Sequence, residues 1–409
     1  MAEVRQDITI SVRGVNELRD ASAAMKDVRD SAVGLGRVNA SGVETAAAST
    51  ERLAKAARAS TNEMTSQRYQ LYDVAAGYQM LANTLTGVAG AVVKLGMDYE
   101  ASFQQVIRTT GLAGKEIEEV KGQLLDMSTK VPESFQNLSG IAAFGGQLGI
   151  AKNEIAEFTK TTAQLKATTD LTLDSAGQTL AMFQTTLGVA GKDFDNVASS
   201  ILKVGVNSAA TETQIANVST QIGSMAQLAG YSADQVVGLA GAMASVRIPP
   251  ELSRSIITQV FGKLQKSVQE GGASLETFAK VSGHSAEEVR QAWGTNKFAG
   301  IFTDFLAGLK QSGQGATQIL QDIGIKSQRT VPALLRMAQA SDLVKQTMAD
   351  AKSGFDDTST LTDQYGQIAQ TTSAKMEMLK NSVANLGAAF GQSTNSGIGT
   401  FATMLTTVF

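Results

Sequence analysis

The middle of this 409-residue chain repeats one pattern five times: a glycine followed by mostly apolar side chains six, nine, thirteen and sixteen residues later. Steps of three and four residues place those side chains on one face of a helix. Successive copies begin 38, 39, 42 and 53 residues apart, and a spacing near 40 residues is typical of one helical hairpin. The repeat therefore predicts an array of hairpins. Its copies begin at Gly111, Gly149, Gly188, Gly230 and Gly283.

Four copies follow the pattern well, and the fifth is degenerate because it keeps Val289 but moves its large apolar residue by one position, to Trp293. Each stripe predicts a helix face that is buried against a neighbour. The stripes of the first four copies are Ile117, Val120, Leu124 and Met127; Ile155, Phe158 and Leu165; Phe194, Val197, Ile201 and Val204; and Val236, Leu239, Met243 and Val246.

The repeated glycines are predicted to end one helix before the next begins. The last turn of a helix often closes on a left-handed residue, which only glycine adopts easily. Ser232 with Gln235, and Ser285 with Glu288, supply the S-x-x-E/Q box that begins the following helix. We interpret the five glycines as hinges between a compact stack and an extended form. The alternative to a true repeat is that any all-helical protein shows such glycines and capping boxes by chance, which leaves the fold class unchanged.

The composition supports a folded, mainly helical chain. Hydrophobic residues make up 43% of it and the mean hydropathy is -0.03, which is ordinary for a chain that packs a core. With only four prolines, helices can run long. Residues 7–13, DITISVR, alternate polar and apolar side chains and predict one short strand or an unpaired extended arm. The predicted fold is all-α: long helices and an array of helical hairpins separated by glycine turns, with one short N-terminal β-strand.

The pattern divides the chain into four predicted regions. Residues 1–50 carry the strand and an amphipathic helix, and 51–97 form a long helix with an uncharged stretch. Residues 98–310 form the hairpin core, and 311–409 form C-terminal helices. The core ends with an apolar stripe at Phe298, Phe302, Phe305 and Leu309, before a break at SGQGATQ. In the last region Ser341 is a candidate cap, and a heptad follows at Met376, Leu379, Val383, Leu386 and Phe390.

Twenty uncharged residues at 74–93 have the length of a bilayer-spanning helix, but Gln, Asn, Thr and three glycines make them a poor one. A buried or self-associating helix and a membrane-inserted helix are both open for this segment. The candidate residues of this possible membrane segment are Val74, Leu81, Leu85, Val88 and Val92. The chain stops in the apolar run GIGTFATMLTTVF, which leads us to expect that the protein continues beyond it.

Groups that could carry out chemistry are scarce. The chain has no cysteine and a single histidine, His284, beside a predicted helix cap. No G-x-S-x-G elbow, phosphate-binding loop or calcium loop is present. The net charge of -3 is spread over both signs without a basic stripe, so the sequence predicts no nucleic-acid site. We expect no enzyme and no catalytic, cofactor-binding or metal-binding residue; a glycosidase-type carboxylate pair stays an alternative, because the fold assembles such pairs.

Three segments resemble the tail tape measure proteins, also called minor tail proteins, of long-tailed phages. They are MDYEASFQQVIRTTG at 97–111, GLAGAMASVRIPPELSRSIITQVFGKL at 238–264, and LTDQYGQIAQTTSAKMEMLKNSVANLGAAFG at 361–391. The order of a short strand, a long helix and a glycine-punctuated helical region is also similar. The motifs are diffuse, so the resemblance rests on their number and order.

The resemblance implies a protein that occupies the tail-tube lumen in several copies, sets tail length during assembly and leaves ahead of the DNA. Its implied partners are other copies of itself, the tail tube protein, tail assembly chaperones and tail-tip or baseplate proteins. Its implied location is the virion tail, with the host cytoplasm during assembly and the host envelope on infection. The alternatives are a membrane-active, pore-forming helical protein and a cell-wall hydrolase. Even fully helical, 409 residues span only about 600 Å, so either the tail is short or, as we expect, the ruler portion lies downstream.

Overall fold

The computed structural model describes residues 98–392, except for the side chains of residue 383 and of residues 386–392. The described part consists of helices without any β-strand, which confirms the all-α prediction. The helices are α1 (98–110), α2 (Lys115–Lys130), α3 (Phe135–Gln147), α4 (Ile155–Thr168), α5 (Leu173–Leu187), α6 (Phe194–Asn207), α7 (Glu212–Leu228), α8 (Ala233–Ser245), α9 (Pro250–Glu270), α10 (Ala273–Ser282), α11 (Ala286–Ala292), α12 (Phe298–Gln311), α13 (Ala316–Asp322), α14 (Thr330–Gln339), α15 (Ser341–Asp356), α16 (Ser359–Ala369) and α17 (Thr372–Gln392).

The five copies of the repeat each contain two consecutive helices, and in the second, third and fifth copies these two helices pack on each other as a hairpin, as predicted. The pairs are α2 and α3, α4 and α5, α6 and α7, α8 and α9, and α11 and α12; in the fourth copy both α8 and α9 pack on α7 rather than on each other. Four residues join the two helices in each of the first four copies. The fourth interval is longer because α10 lies between the fourth and fifth pairs.

The predicted apolar stripes are largely buried. In α6 all four stripe residues have no exposed surface, and in α8 only Val246, beyond the end of the helix, is partly exposed. Fully burying one such side chain contributes about 1.5–3 kcal/mol. The stripe of α12 is also buried, and Phe302 and Phe305 contact Phe261 and Phe278 with ring-centroid distances of 5.3 and 4.4 Å. The hairpins are therefore held by the faces that the periodicity predicts.

The described residues form two compact units. The first contains 98–105, 114–139 and 373–392, and the second contains 106–113 and 140–372. The first unit thus brings α17 together with helices that precede it by about 250 residues. The boundaries predicted at 50, 97 and 310 stay predictions.

Two expectations for the C-terminal helices need correction or remain open. Ser341 is not a helix cap: α15 begins at Ser341 itself, its N-cap position is Ala340, and the Ser341 side chain is buried. The heptad segment is helical as part of α17, but Met376 and Leu379 are 61% and 36% exposed. A coiled coil through this stripe therefore stays a prediction.

The predicted strand at 7–13 and the uncharged segment with Val74, Leu81, Leu85, Val88 and Val92 lie outside the described residues. Within residues 98–392, no helix combines the length and the apolar character that crossing a bilayer requires.

Helix α15 is the central packing partner in the second unit. It packs on both α6 and α8 along a face of small residues that includes Thr347, Ala351 and Gly354. A Cβ at Gly354 would lie 2.8 Å from the carbonyl oxygen of Ser199 and 2.8 Å from the Cα of Ser200. The two backbones therefore approach as closely as glycine allows.

Side-chain hydrogen bonds to carbonyl groups fix the register between α6 and α15. The buried Ser200 hydroxyl donates to the Ala351 carbonyl over 2.9 Å, and Ser199 donates to the Asp357 carbonyl over 3.1 Å. At the surface, Lys203 Nζ donates to Ser353 Oγ over 2.8 Å. Hydrogen bonds to fixed carbonyl oxygens add direction to a contact that small apolar surfaces alone would leave free to slide.

The close approach of α15 to α6 leads to a stability prediction. Replacing Gly354 with Ala places a methyl group against the backbone of α6, which cannot move aside, and should destabilise the protein by about 1–3 kcal/mol. Gly366 in α16 is the matched control, because nothing lies within 4 Å of its Cβ position. Gly366→Ala should stabilise by about 0.5–1 kcal/mol through helix propensity. Urea unfolding midpoints measure both changes, and equal midpoints for the two variants would contradict the packing described.

Candidate functional site

The five repeated glycines all adopt the left-handed conformation that the sequence predicts. Each follows the end of a helix, and their φ angles are 68°, 86°, 69°, 90° and 74° from Gly111 to Gly283. The capping box predicted at Ser285 is formed in full. The one at Ser232 is formed through the Ser232 backbone N–H, which donates to Gln235 Oε1 over 3.1 Å, while the Ser232 hydroxyl donates to Asp234. The punctuation of the repeat is thus confirmed, whereas the role of the glycines as hinges stays a prediction.

Gly188 shows how such a turn is built. Its backbone N–H donates to the Gln184 carbonyl over 3.0 Å, and the N–H of Val189 donates to the Phe183 carbonyl over 3.2 Å. These two bonds occupy carbonyls that the helix end leaves without partners. A Cβ at Gly188 would meet no atom within 4 Å, so only the backbone angle requires glycine here.

The residue after the glycine also belongs to the turn, and sequence reasoning missed it. In the first four copies this residue is apolar and at most 8% exposed, which anchors the reversing chain in the core. The sequence feature that could have predicted it is an apolar residue directly after the glycine in the first four copies. The fifth copy has His284 at this position. The four residues are Leu112, Ile150, Val189 and Tyr231.

Gly230 differs from the other four glycines because a second turn packs on it. A Cβ at Gly230 would collide with the backbone of Gly294 and Thr295 in the fifth copy. The N–H of Gly294 donates to the Ala229 carbonyl over 3.2 Å, and Gln235 Nε2 donates to the Asn296 carbonyl over 2.8 Å. Gly111, Gly149, Gly188 and Gly283 have no atom within 4 Å of a Cβ. The turns at these four glycines are therefore sterically open. The turn at Gly230 is clamped by the backbone of Gly294 and Thr295.

One turn uses a left-handed residue other than glycine. Arg247, between α8 and α9, has a φ of 58° and is the one non-glycine residue with positive φ among residues 98–392. The N–H of the following residue, Ile248, donates to the Met243 carbonyl over 3.0 Å, the same closure as at Gly188. An arginine in this conformation is strained by about 1–2 kcal/mol relative to glycine.

A carboxylate joins the second and third copies. Glu154 Oε1 accepts a hydrogen bond from the Gly191 N–H over 2.8 Å, and Glu154 also accepts one from the side-chain amide of Gln184. A Cβ at Gly191 would lie 2.8 Å from the Glu154 side chain. The turn that begins at Gly188 is thus held by the preceding hairpin.

A second acidic contact joins the same two copies at the other end of the helices. Asp170 Oδ1 accepts the Thr213 N–H over 2.8 Å. Burial alone would raise the pKa of Asp170, but hydrogen bonds from Thr213 and Thr211 outweigh it and lower that pKa. Burial raises the pKa of Glu212, and the adjacent Asp170 carboxylate adds to the increase. The pKa of Asp170 and the pKa of Glu212 are therefore shifted in opposite directions.

In the first unit, two asparagines of α17 bind the C-terminal end of α2. The side-chain amide of Asn381 donates to the carbonyls of Ser128 and Glu133 over 3.1 and 2.8 Å. Asn385 donates to the Leu125 carbonyl over 3.2 Å and to Ser128 Oγ over 2.7 Å. We call Asn381 and Asn385 the asparagine latch. Sequence reasoning singled out the apolar heptad of α17 and missed these two polar residues.

His284 lies in the fifth glycine turn, where its Nε2 is 3.3 Å from Asp304 Oδ2 and its side chain is 30% exposed. Lys345 Nζ is 3.7 Å from the other oxygen of Asp304. Among residues 98–392, no three His, Asp or Glu side chains are grouped so that they could hold a metal ion.

The geometry defines a helical-hairpin repeat protein whose shared features are turns and apolar faces. Residues 121–324 match the family described as phage-related minor tail protein, which confirms the resemblance seen in the sequence. A tape measure protein of Pneumococcus phage Dp-1 is 23% identical over 203 residues, which cover 46% of this chain and 17% of that relative. The matched region therefore spans about a sixth of the relative's length. No solved structure matches the chain.

The difference between open and clamped turns predicts unequal effects of alanine. Gly188→Ala should destabilise by about 1–2 kcal/mol, since only the left-handed backbone is strained. Gly230→Ala should cost more, because the added methyl group also collides with the backbone of Gly294 and Thr295. Thermal unfolding measures both variants, with Gly366→Ala as the helix control. Equal losses at the two sites would contradict the clamp.

The raised pKa of Glu212 predicts a pH dependence that glutamine should remove. A raised folded-state pKa stabilises the fold below the unfolded value, near 4.3, and this contribution is lost as pH rises through the folded value. The stability of Glu212→Gln relative to the unmodified protein should therefore increase with pH between about 4 and 7. Urea unfolding at several pH values measures the difference, and Asp174→Asn serves as a control for removal of an exposed carboxylate. A flat difference for Glu212→Gln would argue against the assigned shift.

Proposed function

We propose that this protein is a tail tape measure protein that occupies the lumen of the tail tube, sets tail length during assembly and leaves ahead of the DNA. The observation that supports this most directly is that the family match at 121–324 coincides with the hairpin array. The resemblance to a tape measure protein points the same way.

The repeat suits a protein that must exist in a folded and a threaded form. Buried apolar stripes favour the folded hairpins, while each left-handed glycine is a point where the chain direction can change with little steric penalty. The four open turns at Gly111, Gly149, Gly188 and Gly283 are the proposed hinges, and the turn at Gly230 must first release Gly294. The proposal therefore predicts that the four open turns change direction before the turn at Gly230 does.

The proposed partners are other copies of this chain, the tail tube protein, tail assembly chaperones and tail-tip or baseplate proteins. The proposed role needs no catalytic residue, cofactor or sequence-specific nucleic-acid contact. A membrane-active role would depend on residues 74–93, and a cell-wall hydrolase would release soluble peptidoglycan fragments.

The length-setting role is tested by insertions into the phage gene. A 42-residue heptad helix inserted between residues 60 and 61, in the predicted long helix, should lengthen the tail by about 63 Å, at 1.5 Å per residue. A 42-residue Gly/Ser segment at the same position should lengthen it less, by about 36 Å, because a flexible coil is shorter. Electron microscopy of purified tails measures both. Unchanged tail length with both insertions would refute the proposal.

A further inference from the structure

The first unit brings together the two places where the chain enters and leaves the described region. Tyr99 lies in α1 and Asn385 lies in α17, 286 residues later. The Tyr99 hydroxyl donates a hydrogen bond to Asn385 Oδ1. Tyr99 is buried and stacks on Phe135 with a ring-centroid distance of 4.5 Å. The residues at which the chain enters and leaves the described region are therefore joined by a direct, partly buried contact.

The asparagine latch closes this contact with little freedom to slip. Asn385 uses its carbonyl oxygen for Tyr99 and its amide for Leu125 and Ser128. One turn earlier in α17, Asn381 is 3% exposed and donates to two carbonyl oxygens. Breaking the Asn381 side chain away would remove the hydrogen bonds from the buried Ser128 and Glu133 carbonyls, and a buried carbonyl left without a partner costs about 1–3 kcal/mol. These hydrogen bonds therefore stabilise the contact between α17 and α2 and also fix the register of the two helices.

The closed contact keeps Tyr99 and Asn385 much closer together than an extended chain of the same length would. Two residues whose side chains share a hydrogen bond have backbones within about 15 Å of each other. A continuous helix of the same 286 residues would span about 430 Å. While the latch is closed, the chain from Tyr99 to Asn385 advances by a few per cent of the length that it could cover.

We propose that residues 99–385 form a length-neutral insert: a folded block, closed by the asparagine latch, that contributes almost nothing to the length a tape measure defines. The inference rests on the length-setting role proposed above. Under it, chain outside residues 99–385 sets the tail length, and the number of hairpins inside the block is free to vary.

The first test compares one insertion at two positions. The 42-residue Gly/Ser segment is placed after Gln314, in the exposed turn between α12 and α13, and separately between residues 60 and 61. The inner insertion should leave tail length unchanged, while the outer insertion should add about 36 Å. Equal lengthening by both would overturn the inference and uphold the length-setting role. No lengthening by either would overturn the length-setting role, and the inference with it.

The second test measures the closure directly in assembled tails and does not depend on tolerance of an insertion. Because the 409-residue chain has no cysteine, Glu100→Cys with Lys380→Cys gives two unique sites for spin labels. Both residues are exposed, on α1 and α17. The label distance should stay below about 25 Å, since each label lies within about a turn of the contact. Single-cysteine variants identify distances between different copies. Tails of normal length without the short intrachain distance would overturn the inference.

Discussion

The left-handed glycine turn is the constraint on which this architecture depends. An apolar stripe can be buried only if the chain brings a second helix against it, and at each connection between copies the preceding helix is followed by a glycine with positive φ. At Gly188 the turn also directs Val189 into the core, so one backbone conformation ends a helix, satisfies its carbonyls and anchors the next segment. Arg247 shows that the conformation matters more than the residue, since the chain accepts strain there to keep the same closure.

Local and periodic signals explain what the sequence could predict. The hairpins, the buried faces of α6 and α8 and the capping boxes at Ser232 and Ser285 all depend on residues within one or two turns of each other. Such signals are visible in a single chain because spacing of three and four residues directly reports a helix face. The cap predicted at Ser341 failed for the complementary reason: a serine near a helix start is equally compatible with the first helical turn, and packing buried its side chain there.

Contacts between distant residues account for what the sequence could not predict. Gly230 and Gly188 are indistinguishable as letters, yet only Gly230 is covered by a turn more than sixty residues away. Ser200 and Ala351 are 151 residues apart, and Asn381 and Ser128 are 253 residues apart. Nothing in local composition marks these partners. In α17 the heptad pattern predicted an apolar stripe, whereas the polar residues Asn381 and Ser382 are buried and Met376 and Leu379 are exposed.

Buried apolar helix faces and directional side-chain hydrogen bonds contribute differently to this structure. Apolar faces contribute most of the burial energy but tolerate sliding, because dispersion and the hydrophobic effect have little direction. Hydrogen bonds from Asn381 and Asn385 to particular carbonyl oxygens fix one register, and so do those from Ser199 and Ser200 to α15. Both closures join segments at least 150 residues apart in sequence. The apolar faces therefore supply most of the burial, while a few directional bonds set the points where the chain enters, leaves and folds back.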